Sequence, residues 1–133
     1  MSQENVETLQ SFYQRLDATR QPPAELFHPD LEIHMFDGSA VPGPFLGLDG
    51  LNRWYEETFD VFEDGRLVLD EAIVGDDPDV MVVTNRFVGR MRHTGLAADF
   101  PVTAVVRFLD GRIVRFEGYR ERAEAFKAVG LEE

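Results

Sequence analysis

The sequence predicts a single α+β domain, and three observations carry that expectation. Two amphipathic helical patterns fill the first half, four alternating runs fill the second, and an Asp110-Gly111 pair joins the last two runs. Helices followed by a block of strands is the α+β arrangement, and Asp-Gly between alternating apolar runs is a strong hairpin signal. At 133 residues the chain has the length of one domain rather than two. No repeat, linker or low-complexity segment interrupts it.

Residues 3–18 read as a helix, with Val6, Leu9, Phe12, Tyr13 and Leu16 in one apolar stripe. Ser2 is the expected N-cap, and Glu4 and Glu7 put negative charge where the helix dipole favours it. Pro22-Pro23 opens a short helical turn through Phe27, which His28-Pro29-Asp30 closes. From Leu31 the period changes to two, with Leu31, Ile33 and Met35 on one face and Glu32, His34 and Phe36 on the other, so a strand is expected. A Gly/Pro-rich loop covers 37–47. A second helix follows Asp49, with Leu51, Trp54, Tyr55, Thr58, Phe59 and Phe62 at helical spacing.

After Glu63-Asp64-Gly65, strands are expected at about 66–75, 80–91, 98–109 and 112–120, then a closing helix over 121–129 stopped at Gly130. In the segment 98–109, Phe100, Val102, Ala104, Val106 and Phe108 share one side, opposite Asp99, Thr103 and Arg107. In the last strand Val114, Phe116 and Gly118 oppose Arg115, Glu117 and Tyr119. The segment 80–91 leaves its facing open: Met81, Val83, Asn85 and Phe87 form the more apolar row, yet Val80, Val82, Thr84, Arg86 and Val88 are not clearly solvent-facing. A sheet apolar on both faces implies a partner against the second, so a homodimer is expected.

Composition narrows the function classes. Leu, Ile, Val and Phe together number 40, enough for a real core. The net charge of −12 argues against nucleic acid or an anionic membrane as partner. Residues 1–85 carry 4 basic and 18 acidic side chains and residues 86–133 carry 9 and 7. The later arginines (Arg86, Arg90, Arg92, Arg107 and Arg115) form either a basic binding face or a solvated strand face with cross-strand ion pairs, and the second is the commoner cause. With 0 cysteines, disulfides and thiolate chemistry are excluded. Three scattered histidines without ligand spacing, and no phosphate loop or Gly-x-Ser-x-Gly, imply no metal, cofactor or serine nucleophile. Met-Ser-Gln-Glu-Asn is not a signal-peptide start, and no apolar run reaches membrane-span length, so a cytoplasmic domain is expected.

This order of elements, with its local sequences, resembles the SnoaL-like branch of the nuclear-transport-factor-two-like superfamily. The resembling segments are Ser2 to Val6 leading into Phe12-Tyr13, His28-Pro29-Asp30-Leu31-Glu32, Gly47-Leu-Asp-Gly-Leu51, Asp110 to Glu117, and Ala128-Val-Gly-Leu131; their order and spacing cover nearly the whole chain. The resemblance implies a cystatin-like roll: a cone-shaped, strongly curved, mostly antiparallel sheet wrapped around the N-terminal helices. It also implies a ligand pocket at the open end and a homodimer through the outer sheet face. Members include polyketide cyclases, ketosteroid isomerases and limonene epoxide hydrolase, so fold alone does not settle function.

The resemblance puts the isomerase tyrosine, base and protonated Asp on Phe12, Met35 and Ala104, none of which can move a proton. Only a supporting tyrosine is retained, as Tyr55. The epoxide hydrolase carboxylates would fall among Val102, Ala104, Phe116 and Gly118, and the cyclase acid on Glu117, outward by alternation, or Glu121 at the strand's end. What remains is an apolar cavity suited to a hydrophobic aromatic or polycyclic ligand, with Phe12, Tyr13, Met35, Trp54, Tyr55, Phe87, Phe100, Ala104, Phe116, Gly118 and Arg120 as candidate lining. Arg120, Tyr55 and Asn85 are the polar candidates for stabilising an enolate, while His34 sits on the outward parity. Two function classes stay open: an isomerase- or cyclase-like enzyme, and a non-catalytic ligand-binding or dimerisation module that has lost the acid–base set.

Overall fold

The computed structural model describes residues 2–131 apart from 37, 40 and 42; the side chain of Ser2, with its expected cap, and the Asp37 start of the loop lie outside the described residues. Helix α1 (Ser2–Thr19) buries Leu9, Phe12, Tyr13 and Leu16, the expected stripe, with Val6 at its margin. Both ends of α1 are tied to the sheet. Buried Asn5 donates from Nδ2 to the Pro78 carbonyl at 3.0 Å and to Asp79 Oδ1 at 2.9 Å, and Arg66 grips Asp17 at 2.6 and 2.9 Å.

A 3-10 turn (Ala24–Leu26) leads into β1 (Phe27–His34). Here the sequence expectation is corrected. His28-Pro29-Asp30 does not close a helix; it lies inside the strand, which starts at Phe27 rather than Leu31. Pro29 has no N–H to give a ladder, and pairing of β1 with the last strand lapses between Phe27 and Glu32. That irregularity hides the period of two until Leu31. At the other end Met35 and Phe36 fall just beyond the strand.

Inside the Gly/Pro-rich stretch, β2 (Phe45–Leu46) pairs antiparallel with β1 through Ile33 and Glu32. Two residues carry no readable period, so the sequence presents the whole stretch as loop. Helix α2 (Gly47–Phe59) begins before Asp49 and stops at Phe59. Phe62, the last residue of the expected helical stripe, instead bridges Met91 and is still buried. The strands β3 (Arg66–Val74), β4 (Val80–Arg90), β5 (Ala97–Leu109) and β6 (Arg112–Tyr119) lie within a residue or so of expectation. Helix α3 (Arg122–Ala128) ends where Leu131 N donates to the Phe126 carbonyl around Gly130 at φ +76°, a glycine C-cap.

The six strands form one sheet in the order β2-β1-β6-β5-β4-β3, antiparallel throughout except for the β1–β6 pair. This is the α+β cone, with α1 and α2 packed on its inner face. That face contributes Met81, Val83, Phe87, Val102, Ala104, Val106, Phe108, Ile113 and Phe116 to the main core, which settles the facing of β4. Among the described residues no helix is long and apolar enough to cross a membrane.

The outer face is covered in part by the chain itself. Val80, Val82 and Val105 pack under Ala125 and Phe126 of α3 as a second, smaller core. Beyond α3 the outer face is charged: Arg86 bridges Asp70 (2.8 Å) and Asp99 (3.0 Å), Arg107 meets Glu117 at 3.2 Å, and Arg115 lies 3.5 Å from Glu32 and 3.4 Å from Glu117. Arg86, Arg107 and Arg115 are thus members of cross-strand ion pairs, whereas Arg90 donates to the Gly95 carbonyl and Arg92 to those of Asp60 and Phe62.

Candidate functional site

Two hollows adjoin at Met35 and Phe36. The first is an apolar chamber of about 220 Å³ between the end of α2, the segment after β1, and the adjoining ends of β4 and β5. Its walls are Met35, Phe36, Val41, Val61, Phe62, Phe87, Phe100 and Val102, with Gly38, Ser39 and Thr58 at the side. Phe100 stacks on Phe87 at 5.7 Å and on Phe62 at 6.1 Å between ring centroids. It is nevertheless 44% exposed, because it lies past the cover of α2 and forms the lip. The chamber falls below the usual ligand-pocket range of about 300–1,000 Å³, so by itself it holds one or two fused rings.

The second hollow is a more open, polar groove of about 450 Å³ lined by His34, Met35, Phe36, Glu117, Gly118, Tyr119, Arg120 and Glu124. The Arg120 guanidinium sits 5.3 Å from the centre of the Phe36 ring, so the groove's cation rests on the chamber's wall. His34 Nε2 lies 2.9 Å from Glu32 Oε1, and that hydrogen bond, with Arg115 behind it, holds the Glu32 carboxyl below its ordinary range. Partial burial, then the charge of Glu117, pushes the Tyr119 phenol up. Ion pairs to Arg107 and Arg115 occupy Glu117.

The sequence-predicted residues distribute over several places. Met35, Phe87 and Phe100 line the chamber; Met35, Gly118 and Arg120 line the groove. Phe12, Trp54 and Phe116 meet deeper in the cone around a crevice of only about 10 Å³, also lined by Phe27, Ile33 and Leu51. Ala104 is fully buried opposite Gly118 in the β5–β6 register. Tyr13 and Asn85 are bonded to each other, Tyr13 Oη donating to Asn85 Oδ1 at 2.9 Å, while Asn85 Nδ2 donates to the Val102 carbonyl at 2.6 Å. Tyr55 lies apart from them, in a narrow cleft with Leu16, Asp17, Arg20 and Arg66. Of the three polar candidates, Arg120 alone lines the chamber or the groove.

Sequence reasoning missed the segment after β1, whose Phe36, Gly38, Ser39 and Val41 wall the chamber. Alternation put Phe36 on the outward face, but β1 ends at His34 and the period lapses with it; the residues beyond have neither helical nor strand period, so nothing in the pattern marks them. Thr58 and Phe62 were legible as inward-facing, and Val102 as part of an inward row, without pointing to a wall. Among the described residues no carboxylate lines the chamber.

Comparison with known proteins fits this architecture. A family model described as a SnoaL-like domain matches residues 9–116. No curated protein gives a significant match. Among solved structures, an NTF2-like protein of unknown function from Burkholderia pseudomallei superposes with a TM-score of 0.75 at 23% identity, covering 95% of this chain and 97% of that one. TerC, co-crystallised with polyporic acid, gives 0.73 at 22% identity over 95% and 97% of the two chains. A Mycobacterium tuberculosis protein in complex with estradiol-17beta-hemisuccinate gives 0.73 at 14% identity over 90% and 95%. At these identities the structures speak to the fold, and the family match, spanning most of the sequence, speaks to descent: this chain belongs to the SnoaL-like domain family.

Proposed function

We propose that this protein binds a flat, largely apolar aromatic or polycyclic small molecule in the chamber beside β4 and β5, and acts on it as an isomerase or cyclase. The observation that carries the reading is the chamber itself: Met35, Phe62, Phe87, Phe100 and Val102 leave about 220 Å³ unfilled beside the groove that Arg120 lines. Aromatic walls suit a flat apolar body, and a guanidinium beside the opening suits an enolate or carboxylate on it. Rate acceleration would come from confinement and from Arg120 stabilising developing negative charge. Family membership supports the reading, as do fold neighbours whose structures hold polyporic acid and a steroid hemisuccinate.

A second reading, a binder without catalysis, is favoured by one observation. The described chamber walls carry no carboxylate, histidine or tyrosine, and the nearby Tyr13 and Asn85 are bonded to each other. Calorimetric titration with acetylnaphthalene tests the shared part of both readings; the expected result is saturable binding, and its absence overturns them. Turnover assays on a β,γ-unsaturated ketosteroid and on cyclisable polyketide mimics then decide between them, since binding without turnover supports the second.

The same reading carries a homodimer through the outer sheet face. Arg86, Arg107 and Arg115 alternate there with Asp70, Asp99, Glu117 and Glu32, a pattern that can meet itself across a two-fold axis. Light scattering after gel filtration is expected to give twice the chain mass at low salt; a monomer at all concentrations overturns this part.

A further inference from the structure

Chamber and groove share one partition, formed by Met35 and Phe36. Met35 sits there because Gly118 lets it: a Cβ on Gly118 would lie 3.1 Å from Met35 Cε and 3.3 Å from its Sδ. The thioether therefore fills a notch in the sheet where two small residues of the inner face, Gly118 and Ala104, lie side by side in register. Methionine is unbranched and turns about several soft bonds, so it can leave such a notch without moving the backbone. Two residues back along the chain from Met35 and from Gly118, Ile33 and Phe116 wall the crevice that also contains Trp54. Trp54 is 3% exposed and its Nε1 donor has no acceptor among the described residues. A water there would need several polar partners, and the other described walls of that crevice are apolar.

These features have one explanation. We infer that Met35 is a displaceable plug, and that the ligand is a flat aromatic ketone: its ring system lies in the chamber, it pushes Met35 out of the Gly118 notch, and its carbonyl oxygen accepts the hydrogen bond that Trp54 Nε1 lacks. Displacement joins chamber and groove into one cavity, large enough for a polycyclic body that the chamber alone does not hold. This inference rests on the proposed pocket and specifies its ligand class.

Trp54 is the only tryptophan in the chain, so its emission reports on the crevice directly. The experiment titrates acetylnaphthalene and its oxygen-free analogue ethylnaphthalene into the wild-type protein and into Met35→Ala, Met35→Leu and Met35→Phe, reading heat and Trp54 emission. Acetylnaphthalene is expected to shift the wild-type emission and to bind at least tenfold tighter than ethylnaphthalene. Met35→Ala, which removes the competing closed state, is expected to bind it at least fivefold tighter; Met35→Phe is expected to bind at least tenfold weaker. Met35→Leu conserves volume and keeps the fold, and its stiffer side chain is expected to weaken binding severalfold, so the inference stays open to refutation even where the alanine variant unfolds. Unchanged affinity in the folded variants overturns the plug while leaving the pocket reading intact. Equal binding of the two naphthalenes overturns the role of Trp54. Absence of binding in both wild type and Met35→Ala overturns the pocket reading together with this inference.

Discussion

Tyr13 on α1 and Asn85 on β4 close a hydrogen bond of 2.9 Å inside the cone, and Asn85 passes it on to the Val102 carbonyl at 2.6 Å. Residues 72 apart in sequence are thereby joined across the core, linking the first helix to the strand that walls the chamber. Tyr13→Phe keeps the ring packing and leaves Asn85 Oδ1 buried without a donor. Such a loss is worth about 1–3 kcal/mol. Urea unfolding should show that loss as a lower midpoint with an unchanged slope.

The burial of the same tyrosine gives the protein an alkaline limit. Burial pushes the Tyr13 phenol well above its ordinary value of 10.0. Below that pH neither folded nor unfolded chain ionises it, and its contribution to stability is fully present. Above it the unfolded chain gives up a proton that the folded one keeps, so stability falls by about 1.4 kcal/mol per pH unit until the folded value is reached. Tyr119, raised by partial burial and by Glu117, adds to the slope. Stability measured from neutral to strongly alkaline pH should therefore fall less steeply in Tyr13→Phe than in the wild type; identical slopes would show that Tyr13 ionises freely in the fold.

Helix α3 is short, yet Phe126 and Ala125 shield Val80, Val82 and Val105 on the outer sheet face. Phe126→Ala should cost about 3–5 kcal/mol, the usual range for deleting a buried phenyl ring, and should raise binding of an anionic naphthalene dye to the uncovered valines. A cost below about 1 kcal/mol would mean that the helix is a loose appendage and that something else covers that face.

The elements that bury one full stripe or row were readable from the sequence: α1 from Leu9, Phe12, Tyr13 and Leu16, β5 from Val102, Ala104, Val106 and Phe108. Where one residue served two masters the reading failed. Pro29 looks like a terminator, but it sits where β1 skips pairing and needs no N–H. Phe62 continues the helical spacing of α2 while the backbone has already turned to bridge Met91. The facing of β4 was ambiguous because α3 buries its outer valines, giving two apolar rows on one strand. The family resemblance, rather than parity alone, gathered Met35, Phe87, Gly118 and Arg120 around one cavity, and these line the two adjoining hollows. Parity does not say how deep a residue lies, so Phe12, Trp54 and Phe116, equally inward, are packed nearly solid.

The chamber's emptiness is itself open to measurement through Val102. This residue is buried, lines the chamber, and uses only its backbone carbonyl to hold Asn85, so its side chain can be enlarged without touching the Tyr13–Asn85 bond. In a well-packed core, Val102→Phe would force neighbours off their rotamers at about 1–3 kcal/mol. Against a void of about 220 Å³ the added atoms find room, and burying them should be neutral or stabilise by about 1 kcal/mol. The expected outcome is an unchanged or raised melting temperature together with loss of acetylnaphthalene binding, because the ring now occupies the ligand's place. A lowered melting temperature would mean that the side chains around Val102 close the space in solution. Retained binding with raised stability would put the ligand elsewhere than the chamber.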